Sequence, residues 1–262
     1  MVRRTENRPI ALILGGSSGL GAATAKKMAK EGCDLVIVHR DRKSDMATVT
    51  ELFEEIRALG GRCHTFNADA VHATKQQELW SAIKSELQEK KIKIVVHSIA
   101  KGNLKPMVGS KDDLTNQDFQ LTLQAMAISL FDWVKRIAVD GYFEDDARVI
   151  AFTSEGSRKP LANYAAVSAA KSALEAIVRS IALEFAPNGI KANCIQAGVT
   201  NTRSFRMIPN HETLLEHAQL RSPNKRLTTP NDVANAAYLL TLPEASWITG
   251  TVIKVDGGES LQ

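Results

Sequence analysis

Ile10-Ala-Leu-Ile-Leu14-Gly15-Gly16-Ser17-Ser18-Gly19-Leu20-Gly21-Ala22 is the stretch on which the fold turns. Five apolar residues without alternation read as a strand buried on both faces. The strand runs straight into glycines that open a helix from about Ser18 to Lys30. Gly15 permits a tight turn, Gly19 lets the backbone approach a pyrophosphate, and Gly21 lets the helix pack against the strand. Phosphates then meet the free N–H groups and positive end of the helix, with Ser17, Ser18 and Leu20 in the same loop. The spacing is G-x-x-x-G-x-G rather than G-x-G-x-x-G. A glycine cluster alone could be only a turn; between a first strand and a first helix it points to a dinucleotide.

Downstream, short apolar runs alternate with amphipathic stretches. Strands are expected at Asp34–Val38, Arg62–Asn67, Ile92–His97, Arg148–Thr153, Ile190–Ile195 and Thr251–Val255. Helices are expected at Ser44–Leu59, Ala73–Gln88, Thr115–Val139, Tyr164–Ala186 and Asn231–Leu240. Buried strands separated by helices imply a parallel sheet covered on both faces. No repeat or low-complexity linker divides the chain. The expectation is α/β: one doubly wound Rossmann domain over 1–262, with a seven-stranded parallel sheet. Thr200 to Pro230 reads as one long irregular stretch, and loops of that length are usually functional. A substrate lid at about 200–230 is the expectation.

The 262 residues suffice for one large core. A net charge of +4 with scattered basic residues gives no footprint for nucleic acid. Met1 to Pro9 carries Arg3, Arg4 and Arg8 but no apolar stretch of signal-peptide length. No apolar run approaches about 18 residues, so no membrane span is expected. Cys33, Cys63 and Cys194 lack metal spacing and read as buried thiols in a reducing compartment. A cytoplasmic protein without a metal site is the expectation.

The end of the second strand should choose the cofactor. An acid about 20 positions past the glycines would bind ribose hydroxyls and repel a 2′-phosphate. Here Val38-His39-Arg40-Asp41-Arg42-Lys43 lacks that acid at the strand end and carries three cations within four residues. Guanidinium suits phosphate, so Arg40 and Arg42 point to NADPH. A solvated basic turn is the other reading, and Asp41 complicates both.

Tyr164 and Lys171 stand seven residues apart in Asn163-Tyr164-Ala-Ala-Val-Ser168-Ala-Ala-Lys171. On a helix, seven steps come to roughly 700°, close to two full turns, so both groups share a face. With the glycine loop, this pair resembles the short-chain dehydrogenases/reductases over essentially the whole chain. Asn67-Ala-Asp69, Ser154, Asn193-Cys-Ile-Gln-Ala-Gly198-Val-Thr-Asn-Thr202 and Val255-Asp-Gly-Gly258 carry the rest of the likeness. The resemblance implies a lysine on the nicotinamide ribose, a tyrosine that transfers the proton, and an assisting serine, here Ser154. It implies further cofactor contacts at Asp69, Ala70, Ser98, Ile99, Ala100, Gly198, Val199 and Thr202.

Two departures from that family's commonest pattern narrow the likeness. Its lysine usually lies four residues after tyrosine, where this chain has Ser168. Where most members have Asn-Asn-Ala-Gly after strand four, this chain has His97-Ser98-Ile99-Ala100. Both features resemble bacterial enoyl-acyl-carrier-protein reductases, as do Ala162-Asn163-Tyr164 and Ala197-Gly198. The commonest of these carry a second tyrosine at the position of Ser154. Ile208-Pro-Asn-His-Glu-Thr-Leu-Leu-Glu-His-Ala218 and Asp256-Gly-Gly-Glu-Ser-Leu261 instead resemble the NADPH-dependent third type, FabL. The asparagine that completes the usual tetrad falls at Met126, which offers no polar group for a relay.

The resemblance implies reduction of a trans-2-enoyl thioester on acyl carrier protein or coenzyme A, by a homotetramer packed through its long helices. A 3-oxoacyl-thioester or other carbonyl reductase is the alternative, favoured by Ser154. A nucleotide-sensing module without turnover is the third. Ser154 could merely make a turn, Asp69 could do the same, and Tyr164 could pack a helix interface. His97 reads as structural. Arg203, Arg206, Lys225 and Arg226 border the lid and could meet an acidic carrier or only solvent.

Overall fold

The computed structural model describes residues 8–109 and 111–262; Arg3 and Arg4 lie outside them. Seven strands form one parallel sheet: β1 (Ile10–Leu14), β2 (Asp34–His39), β3 (Cys63–Asn67), β4 (Ile92–His97), β5 (Phe143–Ser154), β6 (Ile190–Ala197) and β7 (Val252–Val255). Their order is β3-β2-β1-β4-β5-β6-β7. The chain runs outward one way from β1 and then the other way from β4. That reversal opens a crevice at the carboxyl ends of β1 and β4, where open α/β sheets bind ligands.

Both sheet faces are buried, because the strands are apolar at successive positions. On one face Leu12, Leu14, Val36, Val38, Val95 and Val149 pack with Trp80, Trp133, Leu174 and Val178. These belong to α3 (Ala73–Leu87), α5 (Ser129–Val139) and α6 (Ala165–Glu184). On the other face Ile13, Leu35, Ile37, Ile94 and Val96 pack with Met28, Phe53 and Val233. Those come from α1 (Gly19–Lys30), α2 (Met46–Arg57) and α8 (Pro230–Leu239). Each such side chain contributes about 1.5–3 kcal/mol of burial, offset by the entropy of ordering the chain. Cys33 and Cys194 are buried, whereas Cys63 on the edge strand β3 is half-buried.

Three expected elements differ in form. The stretch Thr115–Val139 is not one regular helix: α4 (Asn116–Leu123) passes through a π-helical turn, Gln124–Ile128, into α5. The buried positions run on at helical spacing through it, from Thr122 to Met126, Leu130, Trp133 and Ile137, so the sequence pattern does not show the wider turn. Thr115 caps α4 in a reciprocal box with Asp118. The stretch 200–230 is not wholly irregular, since it holds α7 (His211–Arg221), entered through Asn210 at φ +58°. Only Ala218 of α7 is buried, so the helix carries no apolar stripe to betray it. Tyr164 is not inside α6 but is its N-cap residue, preceded by Asn163 at φ +61°.

Candidate active site

At the crevice, Gly15 takes φ +90°, and a Cβ there would lie 2.7 Å from the Ser98 carbonyl oxygen. Glycine thus lets the β1 turn and the β4 turn close on one another, and Ser98 N–H donates to the Leu14 carbonyl at 2.8 Å. Gly21 brings α1 down on that turn, since its Cβ would sit 2.0 Å from the Gly15 carbonyl oxygen. The Ser18 side chain caps nothing in α1, which leaves the first-turn N–H groups directed at the cleft. Thr202 borders the same point, its Cγ2 lying 3.4 Å from where a Gly19 Cβ would be. This cradle fits the pyrophosphate of a dinucleotide in both space and charge.

The cleft measures about 1700 Å³. That exceeds the roughly 300–1,000 Å³ of ordinary small-molecule pockets and leaves room for a second ligand. Gly15, Ser17, Ser18, Gly19, Leu20, Arg40, Arg42, Asp69, Ala70, Ser98, Ile99, Ala100, Ser154, Tyr164, Lys171, Gly198, Val199 and Thr202 all line it. Of the expected site residues only Gly21 is set back, as its packing role requires.

At the β2 end of the cleft, Arg40 Nη1 lies 3.0 Å from Asp69 Oδ2. The other Asp69 oxygen accepts the Val71 and His72 N–H groups at 2.8 and 3.1 Å. Asp69 therefore shapes the turn and faces the cleft at once. Burial alone would raise its pKa, but those N–H groups with Arg40 and Lys101 outweigh it and lower it. Asp41 also lines the cleft, but its carboxylate is engaged: its Oδ2 meets His39 Nδ1 at 2.8 Å, and its own N–H donates to Asn67. The Ala70 carbonyl is fixed by Trp133 Nε1 at 2.9 Å and Gln76 Nε2 at 2.7 Å.

The chemistry-bearing end is built from β5 and α6. Ser154 ends β5 beside the Tyr164 phenol, with its Oγ buried and making no full hydrogen bond among the described residues. Burial raises the Tyr164 pKa, and Ser154 offsets part of that, so the phenol is protonated at neutral pH. Gly156 makes room for the ring, because a Cβ there would lie 2.7 Å from Tyr164 Cε1. Ser168, at the family's usual lysine position, hydrogen-bonds the Gly156 carbonyl, and Ser172 Oγ donates to the Ser157 carbonyl at 2.7 Å. These two serines tie the turn after β5 to α6.

Lys171 is buried and donates from Nζ to the Phe152 carbonyl at 2.7 Å. Burial pushes its pKa down to about 8, with the Glu175 carboxylate only partly opposing. Glu175 sits one turn further along α6, itself buried, and accepts from Thr153 Oγ1 at 2.8 Å. His97 Nε2 is 2.9 Å from Ser129 Oγ, which donates to the Ala125 carbonyl at 2.8 Å. The hydroxyl proton is thus used, so Nε2 carries the imidazole hydrogen. Burial, reinforced by the Lys171 charge, pushes the His97 pKa down to about 3. Met126 lies in the π-helical turn and packs with Val167 and Ala170 next to Tyr164.

The four basic residues at the lid all have internal partners. Arg203 pairs with Asp45 at 3.0 Å, and Arg226 pairs with Asp232. Arg206 Nε donates to Asn201, and Lys225 Nζ to the Leu220 carbonyl. What the sequence did not single out is a second charged cluster along the cleft. Arg221 Nη2 lies 3.1 Å from Glu155 Oε2 and 2.6 Å from Glu259 Oε1. Glu155 directly follows Ser154, which was the available signal.

Residues 15–260 match the family model described as Enoyl-(Acyl carrier protein) reductase, and the chain belongs to that family of short-chain dehydrogenases/reductases. It is 28% identical over 253 residues to 7alpha-hydroxysteroid dehydrogenase of Escherichia coli K12, covering 95% of this chain and 92% of that protein. It is also 28% identical to the rat peroxisomal 2,4-dienoyl-CoA reductase, covering 95% and 82%. A short-chain dehydrogenase from Burkholderia cenocepacia, solved in complex with NADP, superposes with a TM-score of 0.82 at 26% identity, covering 96% and 98%. The chain is thus an oxidoreductase of a nicotinamide-binding family. Among its described residues no helix is long and apolar enough to cross a membrane.

Proposed function

We propose that this protein is an NADPH-dependent enoyl-acyl-carrier-protein reductase that saturates the trans-2 double bond of enoyl thioesters in fatty-acid synthesis. The observation that carries this reading is the division of labour along α6. Ser168, at the four-apart position, is spent on the Gly156 carbonyl. The ammonium beneath the site is Lys171, seven residues after Tyr164. His97-Ser98-Ile99-Ala100 beside it and the family model support the same reading. The lid sequence supports the FabL type.

In this reading, bound NADPH would supply hydride for the β-carbon of the thioester, and a proton from solvent then completes the saturation at the α-carbon. The protonated Tyr164 phenol donates a hydrogen bond to the thioester oxygen as negative charge gathers there, in a buried setting where such a bond counts most. Lys171 would hold the ribose and supply a positive charge to the cleft. The glycine loop and α1 would hold the pyrophosphate with Thr202 beside it, Val199 would meet the nicotinamide carboxamide, and Arg40 with Arg42 the 2′-phosphate. Segment 200–230, including α7, covers the acyl chain.

Exposed Leu121, Ile128 and Phe131 around α4 and α5 support a homotetramer built on helix faces. A cytoplasmic location belongs to the same reading. Carrier-protein docking through the lid cations requires them to exchange internal partners.

Ser154 beside Tyr164 favours a second reading, reduction of a carbonyl with Tyr164 as a true acid. One assay separates them. NADPH loss with a crotonyl thioester but not with an acetoacetyl thioester supports the enoyl reductase. Loss with the acetoacetyl thioester alone overturns it, and NADPH binding without loss of either overturns both.

A further inference from the structure

Helix α7 roofs the cleft with Leu214, His217 and Leu220, yet only Ala218 of the helix is buried. So little apolar contact does not anchor a helix by itself. What fixes its end is Arg221, the last residue of α7. Its Nη2 stands between Glu155 on the turn after Ser154 and Glu259 in the C-terminal turn. The second Glu259 oxygen accepts the Val199 N–H at 2.9 Å. One guanidinium nitrogen therefore joins the lid, the end of β5 and, through Glu259, the segment after β6.

The two carboxylates are not equally dependent on it. Glu155 has a second cation in Lys159. Glu259 is buried, and Arg221 is its one ion-pair partner among the described residues. A buried carboxylate stripped of its cation must take up a proton or leave for water. Leaving would free the Val199 N–H and detach α7 together. An arginine suits this post because its charge persists at any working pH and Nη2 carries two N–H donors, one for each carboxylate.

We propose that Arg221 is a positioning residue that locks α7 over the cleft and holds Val199 in place through Glu259. It touches neither of the groups assigned to proton donation or ribose binding. The proposal rests on the reading of segment 200–230 as a substrate lid.

The test compares wild type, Arg221→Gln, Arg221→Lys and Glu259→Gln. Limited proteolysis and NADPH fluorescence titration are run without any acyl substrate, followed by steady-state kinetics on the thioester that the wild type reduces. Arg221→Gln is expected to speed cleavage within residues 200–221 by about tenfold or more, as a locally opened segment does. NADPH affinity should fall about threefold to tenfold and thioester KM should rise about tenfold, with kcat at saturation within about twofold of wild type. Arg221→Lys should recover part of each effect. Glu259→Gln, whose amide oxygen can still accept from Val199, should keep NADPH affinity closer to wild type than Arg221→Gln does. An unchanged cleavage rate in Arg221→Gln overturns the proposal, as does loss of kcat with KM unchanged. Faster cleavage and weaker NADPH binding with unaltered thioester KM would support the lock and refute the lid. Failure of the enoyl-reductase reading leaves the proteolysis and NADPH readouts intact.

Discussion

Lys171 Nζ donates to the Phe152 carbonyl at 2.7 Å, buried in the cleft wall one turn before the buried Glu175. Its ammonium is costly to keep charged there, and its pKa is pushed down to about 8 from an ordinary 10.5. The charge is therefore present at neutral pH and is lost as pH rises through about 8. NADPH affinity and kcat/KM should show an alkaline limb near that value. Above it each should fall by up to about tenfold per pH unit, as for a single required proton. Lys171→Arg, which stays charged, should remove the limb in NADPH binding even where its bulk lowers activity. A wild-type profile flat to pH 9.5 would refute the assignment.

Tyr164→Phe keeps the ring against Gly156 and removes only the hydroxyl. Losing one hydrogen-bond donor to a developing oxyanion costs about 10²–10³ in kcat. The expected result is a fall in kcat of that size with NADPH affinity unchanged by fluorescence titration. Near-normal turnover would show that another group donates to the substrate oxygen.

The β2 end of the cleft yields a selectivity prediction. Arg40 is held at 3.0 Å by Asp69, so its guanidinium is already placed at the cleft. Hydrogen bonds to charged groups contribute about 1.5–3 kcal/mol, so Arg40→Ala should weaken NADPH roughly tenfold to a hundredfold. NADH affinity should change little. A loss shared equally by NADH and NADPH would mean that Arg40 serves the Asp69 turn rather than the 2′-phosphate.

How much of this was legible beforehand depends on what each feature rests on. The seven strands and the crevice follow from apolar runs and one glycine loop, whose residues act locally, and the sequence displays both. The glycine loop between strand and helix gives Gly15 a turn and Gly21 a packing role, and the distances agree. The π-helical turn at Gln124–Ile128 and helix α7 are not legible, since buried positions keep helical spacing through the one and the other has no apolar stripe. Lys171 was recognised, but not its bond to Phe152, because strand-to-helix contacts are tertiary. Arg221, Glu155 and Glu259 lie far apart in sequence and meet only when α7, β5 and the C-terminal turn converge.

His97 gives a stability prediction with a definite sign. Its folded pKa is pushed down to about 3, against 6.5 unperturbed, chiefly by burial. Below about pH 6.5 the unfolded chain takes up a proton that the folded chain refuses, so stability is complete above that pH and is lost as pH falls toward 3. At about 1.4 kcal/mol per pKa unit, a few kcal/mol are at stake by pH 4. Urea midpoints at pH 7.5, 6 and 5 should decline faster for wild type than for His97→Gln, which does not titrate. Parallel declines would mean that other groups set the acid sensitivity.

Gly156 tests whether the ring position itself matters. A Cβ at residue 156 would lie 2.7 Å from Tyr164 Cε1 and 3.3 Å from Ser154 Oγ. The Gly156 backbone cannot retreat freely, because its carbonyl is bound by Ser168 and the next residue's by Ser172. The ring is the part that must move. Overpacking of this kind costs about 1–3 kcal/mol in a close-packed site. Displacing a reacting group by about 1 Å can cost 10²-fold in rate. Gly156→Ala should therefore lower kcat by about tenfold to a hundredfold while leaving NADPH affinity within about threefold. Ser168→Ala, which releases the turn, should restore part of that rate in the double variant. No recovery, with an unshifted ring in a crystal structure of Gly156→Ala, would show that the turn and not the ring absorbs the methyl group.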